Sequence, residues 1–237
     1  ESHALLAGLA GASVAINGGF GGIDLAQINK VLLGLLFSSA IGFVCGYGTS
    51  KATVAAFSGI ERDKSEGFFK ISQIASSAVM AFMHGAQDTQ KFAGVLTLEM
   101  LMMGGGRAGE WVFPVCAVIM SLGTALGGGR IIKTVGIDMI KMQTYQGFAA
   151  DAAGGFCLFL STVFGFPVST THTKTTAVMG VGAAKSLRSV DWSVGAAKSL
   201  RSVDWSVAGD MAAAWLFTFP GCGILGWLIS CIYLRVF

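Results

Sequence analysis

The sequence predicts an all-α integral membrane protein made of inverted-topology repeats, with broken helices and re-entrant helical hairpins. Three observations lead there. Hydrophobic residues are 53% of the 237 and charged residues only 12%, whereas soluble domains are about a quarter charged. Two apolar runs, 147–164 and 175–184, are joined by Gly165-Phe166-Pro167-Val168-Ser169-Thr170-Thr171-His172. A span needs roughly 20 apolar residues and neither run supplies them, so the pair reads as a hairpin that enters the bilayer and returns. Irregular backbone at that depth is tolerated where protein buries it or a wet cavity meets it, so the tip faces something polar. Finally, the basic residues fall on one side of the layout that such a hairpin imposes.

Taken in order, residues 4–16 form a short apolar arm, 31–50 a full span and 51–70 a polar, basic loop. Residues 68–103 are apolar except at His84-Gly85-Ala86-Gln87-Asp88, and read as a broken helix that crosses once. A loop between two separate spans is the alternative, but it leaves 68–84 and 89–103 each short. Residues 111–128 form another span. Within 129–145, Arg130, Lys133 and Lys141 stand against Ile131, Ile132, Val135, Ile137, Met139 and Ile140, the pattern of a helix lying on the membrane surface. The hairpin, 147–184, a basic loop at 185–206 and a last span at 207–234 complete the layout, with Asp210 beginning the last helix. The three basic segments hold eleven Lys and Arg, against Lys30, Arg107 and Arg235 on the other side. That is the positive-inside distribution, and a full crossing of 147–184 would erase it. Residues 1–67 then make the remainder of a first repeat and 68–237 a second.

Some features carry no chemistry. The unit Val-Gly-Ala-Ala-Lys-Ser-Leu-Arg-Ser-Val-Asp-Trp-Ser occurs twice without a difference, at 181–193 and 194–206. It reads as a recent duplication or an assembly error, absorbed in a loop where added length costs little. The chain opens on Glu1, and is expected to lack an earlier portion. The five cysteines are spread singly, without metal-ligand spacing, and read as buried small residues. Met100, Met102 and Met103 are expected to pack rather than bind metal. A formal charge of +3 is too small and scattered for nucleic acid.

Ionisable groups inside a membrane segment are costly and are functional candidates by default, which singles out Asp88. Lys91 either pairs with Asp88 or attracts an anion, and Lys174 either contacts an anion or snorkels. His84 and His172 can cap helix ends instead of binding ligand, and the tip hydroxyls can bond back to i−4 carbonyls. Asp151 and Glu99 are further acids in apolar context, Asp151 taking part in coupling or sitting near the interface. Glu1-Ser2-His3 and Thr170-Thr171-His172 each precede a glycine eight residues after the histidine, Gly11 and Gly180. In the proposed layout their arms leave in opposite directions, as in an inverted repeat meeting at the bilayer midplane.

His84-Gly85-Ala86-Gln87-Asp88 together with Pro167-Val168-Ser169-Thr170-Thr171-His172 resembles the inorganic phosphate transporter (PiT) family. Glu1-Ser2-His3-Ala4-Leu5 is similar to the end of that family's first hairpin tip, and Gly129-Arg130-Ile131-Ile132-Lys133-Thr134-Val135-Gly136 also fits. The resemblance covers nearly the whole chain and leaves out the family's amino-terminal portion. The family pattern has Asn where this chain has Gln87. The resemblance implies symport of inorganic phosphate with Na+ or H+ across the plasma (cell inner) membrane. Substrate would bind at Ser169, Thr170, Thr171 and Ser2, and the coupling ion, Na+ included, at Asp88 and Gln87. His84, His172 and Lys91 would support them. No organic cofactor is expected; the partners are phosphate, Na+ or H+, the lipid bilayer and, in a homodimer, a second copy.

Physical chemistry agrees with these residue types. Helix N-termini attract oxyanions, hydroxyls both donate and accept, and hard cations prefer carboxylate and carbonyl oxygens. Sulfate or another oxyanion is the alternative substrate. A hydrolase using His84, Asp88 and Ser169 lacks the strand–turn–helix elbow for its serine, so no enzyme is expected. A truncated structural half-protein without transport activity is the other alternative.

Overall fold

The computed structural model describes residues 2–60, 62–104, 109–133, 142–165, 168–184 and 203–236. They form seven α-helices: α1 (Ser2–Asn17), α2 (Leu25–Ala56), α3 (Arg62–Met102), α4 (Val112–Lys133), α5 (Thr144–Phe164), α6 (Thr170–Ala184) and α7 (Trp205–Val236). A 3-10 turn at Phe20–Gly22 links α1 to α2. Among the described residues, α2, α4, α5 and α7 are long and apolar enough to cross a membrane.

The helices outrun the apolar segments. Asp24 caps α2 early, accepting from the N–H groups of Ala26 (2.9 Å) and Gln27 (3.3 Å), the ordinary use of Asp at an N-cap. Helix α2 then continues to Ala56 and α3 starts at Arg62, so the expected basic loop at 51–70 shrinks to a short connection. Basic residues such as Lys51 and Lys70 sit on helix ends instead. Lys70 is mostly exposed and pairs with Glu66 one turn away, so the long stem carries its charge outward without ending the helix. Asp204, not Asp210, begins α7: its carboxylate accepts from the backbone N–H of Ser206 (3.0 Å) and from the Ser206 hydroxyl (2.7 Å).

Helix α3 is unbroken. Its 41 residues run straight through His84–Asp88, about 60 Å on the α-helical rise. The expected break does not form. A glycine such as Gly85 costs a helix interior only about 1 kcal/mol, and the polar side chains that follow find partners without unwinding the backbone. The first hairpin arm also differs from expectation. Gln146 Oε1 accepts from the N–H of Gln143 (2.9 Å), half of a capping box, and moves the start of α5 back to Thr144. At 21 residues α5 has span length, whereas α6 has 15. Arg130 to Lys133 continue α4; the rest of the expected surface helix, 134–141, and residues 185–202 of the duplicated loop lie outside the described residues.

Helix α3 runs alongside α5, and α6 returns against α2 and α5, while α1 packs on α7. Two of these contacts need glycine. A Cβ at Gly180 would collide with the carbonyl oxygen of Phe43, with the backbone nitrogen of Tyr47 2.8 Å away; a Cβ at Gly11 would collide with the carbonyl oxygen of Gly223, with the backbone nitrogen of Trp227 3.0 Å away. The first seam is α6 on α2 and the second α1 on α7, and in both the struck helix offers residues four apart.

One end of the bundle gathers the helix termini beside the basic segments. Phe57 at the end of α2 stacks on Phe68 of α3, and Phe69 meets Tyr145 and Phe148 of α5. Ala149, Val181, Val203 and Ala208 share a core there. The ends that flank the three basic segments therefore lie together, as the charge distribution requires.

Candidate functional site

Asp88 is the centre of the polar contacts. It is fully buried on α3, with neighbours placed by helical spacing. His84 Nε2, one turn before, lies 3.0 Å from Oδ2, and Lys91 Nζ, one turn after, lies 2.8 Å from Oδ1. Residues three and four apart share a helix face, so the sequence alone sets this triad. The third partner comes from the hairpin: the Thr170 hydroxyl donates to Asp88 at 3.3 Å. Lys91 thus takes the pairing role of its two readings.

Gln87 reaches the other hairpin arm. Its Nε2 lies 2.9 Å from the carbonyl oxygen of Leu158, 3.0 Å from Ser161 Oγ and 2.8 Å from Thr162 Oγ1. A backbone carbonyl only accepts, so the nitrogen of the carboxamide, rather than its oxygen, faces α5. Through adjacent residues, α3 thereby grips both arms of the hairpin, Gln87 holding the end of α5 and Asp88 the start of α6.

The tip is built by α6. Gly165 closes α5 in the left-handed conformation (φ 67°), where glycine is the unstrained choice. Ser169 caps α6, its Oγ accepting from the N–H of His172 at 3.4 Å. Thr173 and Thr176 do bond back to carbonyls one turn earlier, at 2.9 and 2.8 Å, whereas the Thr170 hydroxyl reaches across to Asp88. Ser169, Thr170 and His172 are buried and Thr171 is half-buried.

Helix α1 brings Ser2 to this place. Its Oγ donates to the carbonyl oxygen of Val168 at 3.3 Å, joining the start of α1 to the hairpin tip. The next residue, His3, stands with its ring centroid 5.1 Å from that of His172. A cavity of about 200 Å³ is lined by Ser2, Lys91 and Val168 and, along its apolar wall, by Leu5, Leu6, Leu9 and Leu35. The structure thus gathers Ser2, Asp88, Ser169, Thr170, His84, Lys91 and His172, and holds Gln87 on the far side of α3's grip.

A second cluster escaped the sequence. Asp151 on α5 accepts from the Ser77 hydroxyl and, at 3.4 Å, from Gln73 Nε2 on α3, and Lys174 Nζ of α6 lies 3.7 Å away. Gln73 and Ser77 are spaced i, i+4 on an apolar helix, the signal that could have found them. Lys174 is anchored by Asp151, though nearly half exposed. Trp215 of α7, stacked on His172 at 3.8 Å, was also missed. Other expectations need correction. Glu99, Met102 and Met103 are exposed, so of the three methionines Met100 alone packs, against the Ala93, Val112 and Cys116 cluster. Cys116 and Cys157 are buried, but Cys45, Cys222 and Cys231 are only half-buried, because helices in a bilayer bury one face against protein and leave another to lipid. Among the described residues, no group of three His, Cys, Asp or Glu side chains could hold a metal ion.

An all-α bundle with four candidate spans and buried acid–hydroxyl clusters between its helices has the build of a multi-pass membrane protein. The model of the phosphate transporter family matches residues 51–226. Among curated relatives, a probable low-affinity inorganic phosphate transporter of Mycobacterium leprae is 33% identical, over 98% of this chain and 55% of that protein. One of the same description from Bacillus subtilis is 32% identical, over 95% of this chain and 65% of that protein. The chain therefore belongs to the phosphate transporter family, a family of transporters and not of enzymes. It spans between about half and two-thirds of the length of these relatives. A solved structure described as the sodium-dependent phosphate transporter shares the fold, with a TM-score of 0.59 and 20% identity over 99% of this chain and 65% of that one.

Proposed function

We propose that the chain forms the substrate pathway of a secondary transporter that moves inorganic phosphate together with Na+ or H+. Access alternates between two inverted repeats, residues 1–67 belonging to the first and 68–237 to the second. One observation carries the reading: the buried carboxylate of Asp88 meets the hydroxyl of Thr170 at the N-terminus of α6. An oxyanion takes the N–H groups and partial positive charge of that helix end, together with hydroxyls from Ser169, Thr170, Thr171 and Ser2. Asp88 holds the coupling cation beside it, with Lys91 and His84 exchanging partners as the ion arrives. Moving the two ions together lowers the electrostatic cost of moving the anion. Gln87 keeps the hairpin docked on α3 and offers its remaining carbonyl oxygen to the cation.

The paired glycine seams support the inverted repeats. Each arm beginning near a tip histidine is pressed, eight residues later, on a span of the other repeat. Sodium as the coupling ion draws support from the description of the solved relative, and the low-affinity description of the curated relatives fits a tip whose hydroxyls carry no fixed cation. The test is uptake of labelled phosphate into proteoliposomes holding the full chain, with and without a Na+ gradient and with excess sulfate. The expected result is uptake that survives sulfate and is lost in Asp88→Asn. No uptake by well-folded wild type would overturn the reading, and uptake of sulfate instead would replace the substrate.

A further inference from the structure

We infer that His3 and His172 act as a specificity pair that accepts the acidic O–H of hydrogen phosphate and so excludes oxyanions without one. The inference rests on the reading of the chain as a phosphate transporter, and adds to it the group that distinguishes phosphate from sulfate.

Both rings are at least nine-tenths buried, with 4% and 6% exposure. Among the described residues, three of their nitrogens, Nδ1 and Nε2 of His3 and Nε2 of His172, have no hydrogen-bond partner. Buried polar groups are rarely left unpaired, so three at one point call for a ligand or ordered water. The place is the junction of the two tips: His3 follows Ser2, whose hydroxyl reaches Val168, and His172 lies in the first turn of α6. Trp215, stacked on His172 with an interplanar angle of 27°, fixes the plane of that ring.

The charge state follows from the neighbours. Among the described residues neither ring is paired with a carboxylate, and their centroids are 5.1 Å apart. Two cations at that separation, away from water, are strongly disfavoured, so at least one imidazole is neutral. A neutral imidazole carries one N–H donor and one bare acceptor nitrogen. The hydroxyls near the tip accept as readily as they donate and so do not discriminate, and two other acceptors there are already engaged. Ser169 Oγ takes the N–H of His172, and Asp88 takes His84, Lys91 and Thr170. The hydrogen on a phosphate oxygen thus finds its acceptor at the imidazoles. Sulfate brings no hydrogen near neutral pH and would set a bare oxygen against that acceptor. A site built to pair a substrate hydroxyl rejects the analogue that lacks it far more sharply than shape does.

Proteoliposomes of the full chain test this at neutral pH with three probes: labelled phosphate, sulfate, and fluorophosphate, which matches phosphate in size but has no O–H there. With wild type, fluorophosphate and sulfate are expected to compete with phosphate uptake poorly. His3→Phe and His172→Phe are each expected to shrink the preference for phosphate over fluorophosphate by at least about tenfold, and His172→Gln, which keeps a donor and an acceptor, to restore much of it. If wild type shows no phosphate uptake, the proposed function itself fails. If phosphate is carried and fluorophosphate competes equally, the histidine inference is overturned without any variant, and so it is if folded Phe variants keep the wild-type preference.

Discussion

At the scale of single residues, the chain concentrates its electrostatic risk on Asp88, a carboxylate with no exposure that pairs with a lysine a quarter exposed. Removing one partner of a buried pair leaves an uncompensated charge, at a cost of about 3–5 kcal/mol. Lys91→Met is expected at the lower end, about 3 kcal/mol, because Lys91 retains some water and because His84 and Thr170 remain. The double variant Asp88→Asn with Lys91→Met is expected to recover most of that loss, since no charge is then stranded. Chemical denaturation of the four proteins in detergent measures the coupling; additive losses would show that the pair holds nothing together. The Asp88–Lys91 pair was legible in the sequence because a run from His84 to Lys91 is conspicuous in an apolar chain; the His84 contact was not, because the same run read as a break with His84 capping a helix end. The Asp151 cluster was not, because Gln73, Ser77 and Asp151 are single polar residues on segments 70 and more positions apart. His3 was visible as a match to His172, but that the two rings would meet depends on the packing of α1 against the hairpin.

Among the elements, glycine divides into two kinds that the sequence does not distinguish. Nothing lies within 4 Å of where a Cβ would stand at Gly85, whereas at Gly180 it would strike the backbone of Phe43. Gly85→Ala is therefore expected to stabilise α3 by up to about 1 kcal/mol through helix propensity. Gly180→Val is expected to destabilise by about 1–3 kcal/mol or more, because backbone cannot step aside as a side chain can. Thermal unfolding of both variants checks the signs. A Gly85→Ala protein that is more stable but no longer transports would mean that α3 unwinds there during the cycle. The sequence read His84–Asp88 as a break because polarity and glycine together usually mark one. Pairing overrode that signal: Gln87 and Asp88 spend their polarity on α5 and α6, so the helix stays whole. Segment ends were misjudged for a related reason. Hydropathy registers where apolar residues stop, while caps such as Asp24 and Asp204 decide where helices start.

For the molecule as a whole, the arrangement follows from where charge cannot go. Eleven basic residues lie in three segments, and the helix ends flanking those segments are held together by the Phe57, Phe68, Phe69, Tyr145 and Phe148 contacts and by the core of Ala149, Val181, Val203 and Ala208. Lysine and arginine stay on the side where the protein is made, so these contacts are expected at the cytoplasmic end. Single cysteines placed at Ser58 and Gln143, in a background freed of the five native ones, are expected to react with a membrane-impermeant maleimide in inside-out vesicles. Cysteines at Gly21 and Gly109 are expected to react in right-side-out vesicles. Reaction at 58 and 109 from the same side would break the single crossing of α3, and with it the opposed directions of the two glycine seams. Reaction at 143 from the side of 109 would instead reverse α5 and detach the hairpin from Asp88. The pattern with 58 and 143 on one side and 21 and 109 on the other is the arrangement in which the α1 and α6 arms approach the same polar junction from opposite faces, which alternating access around a fixed site demands.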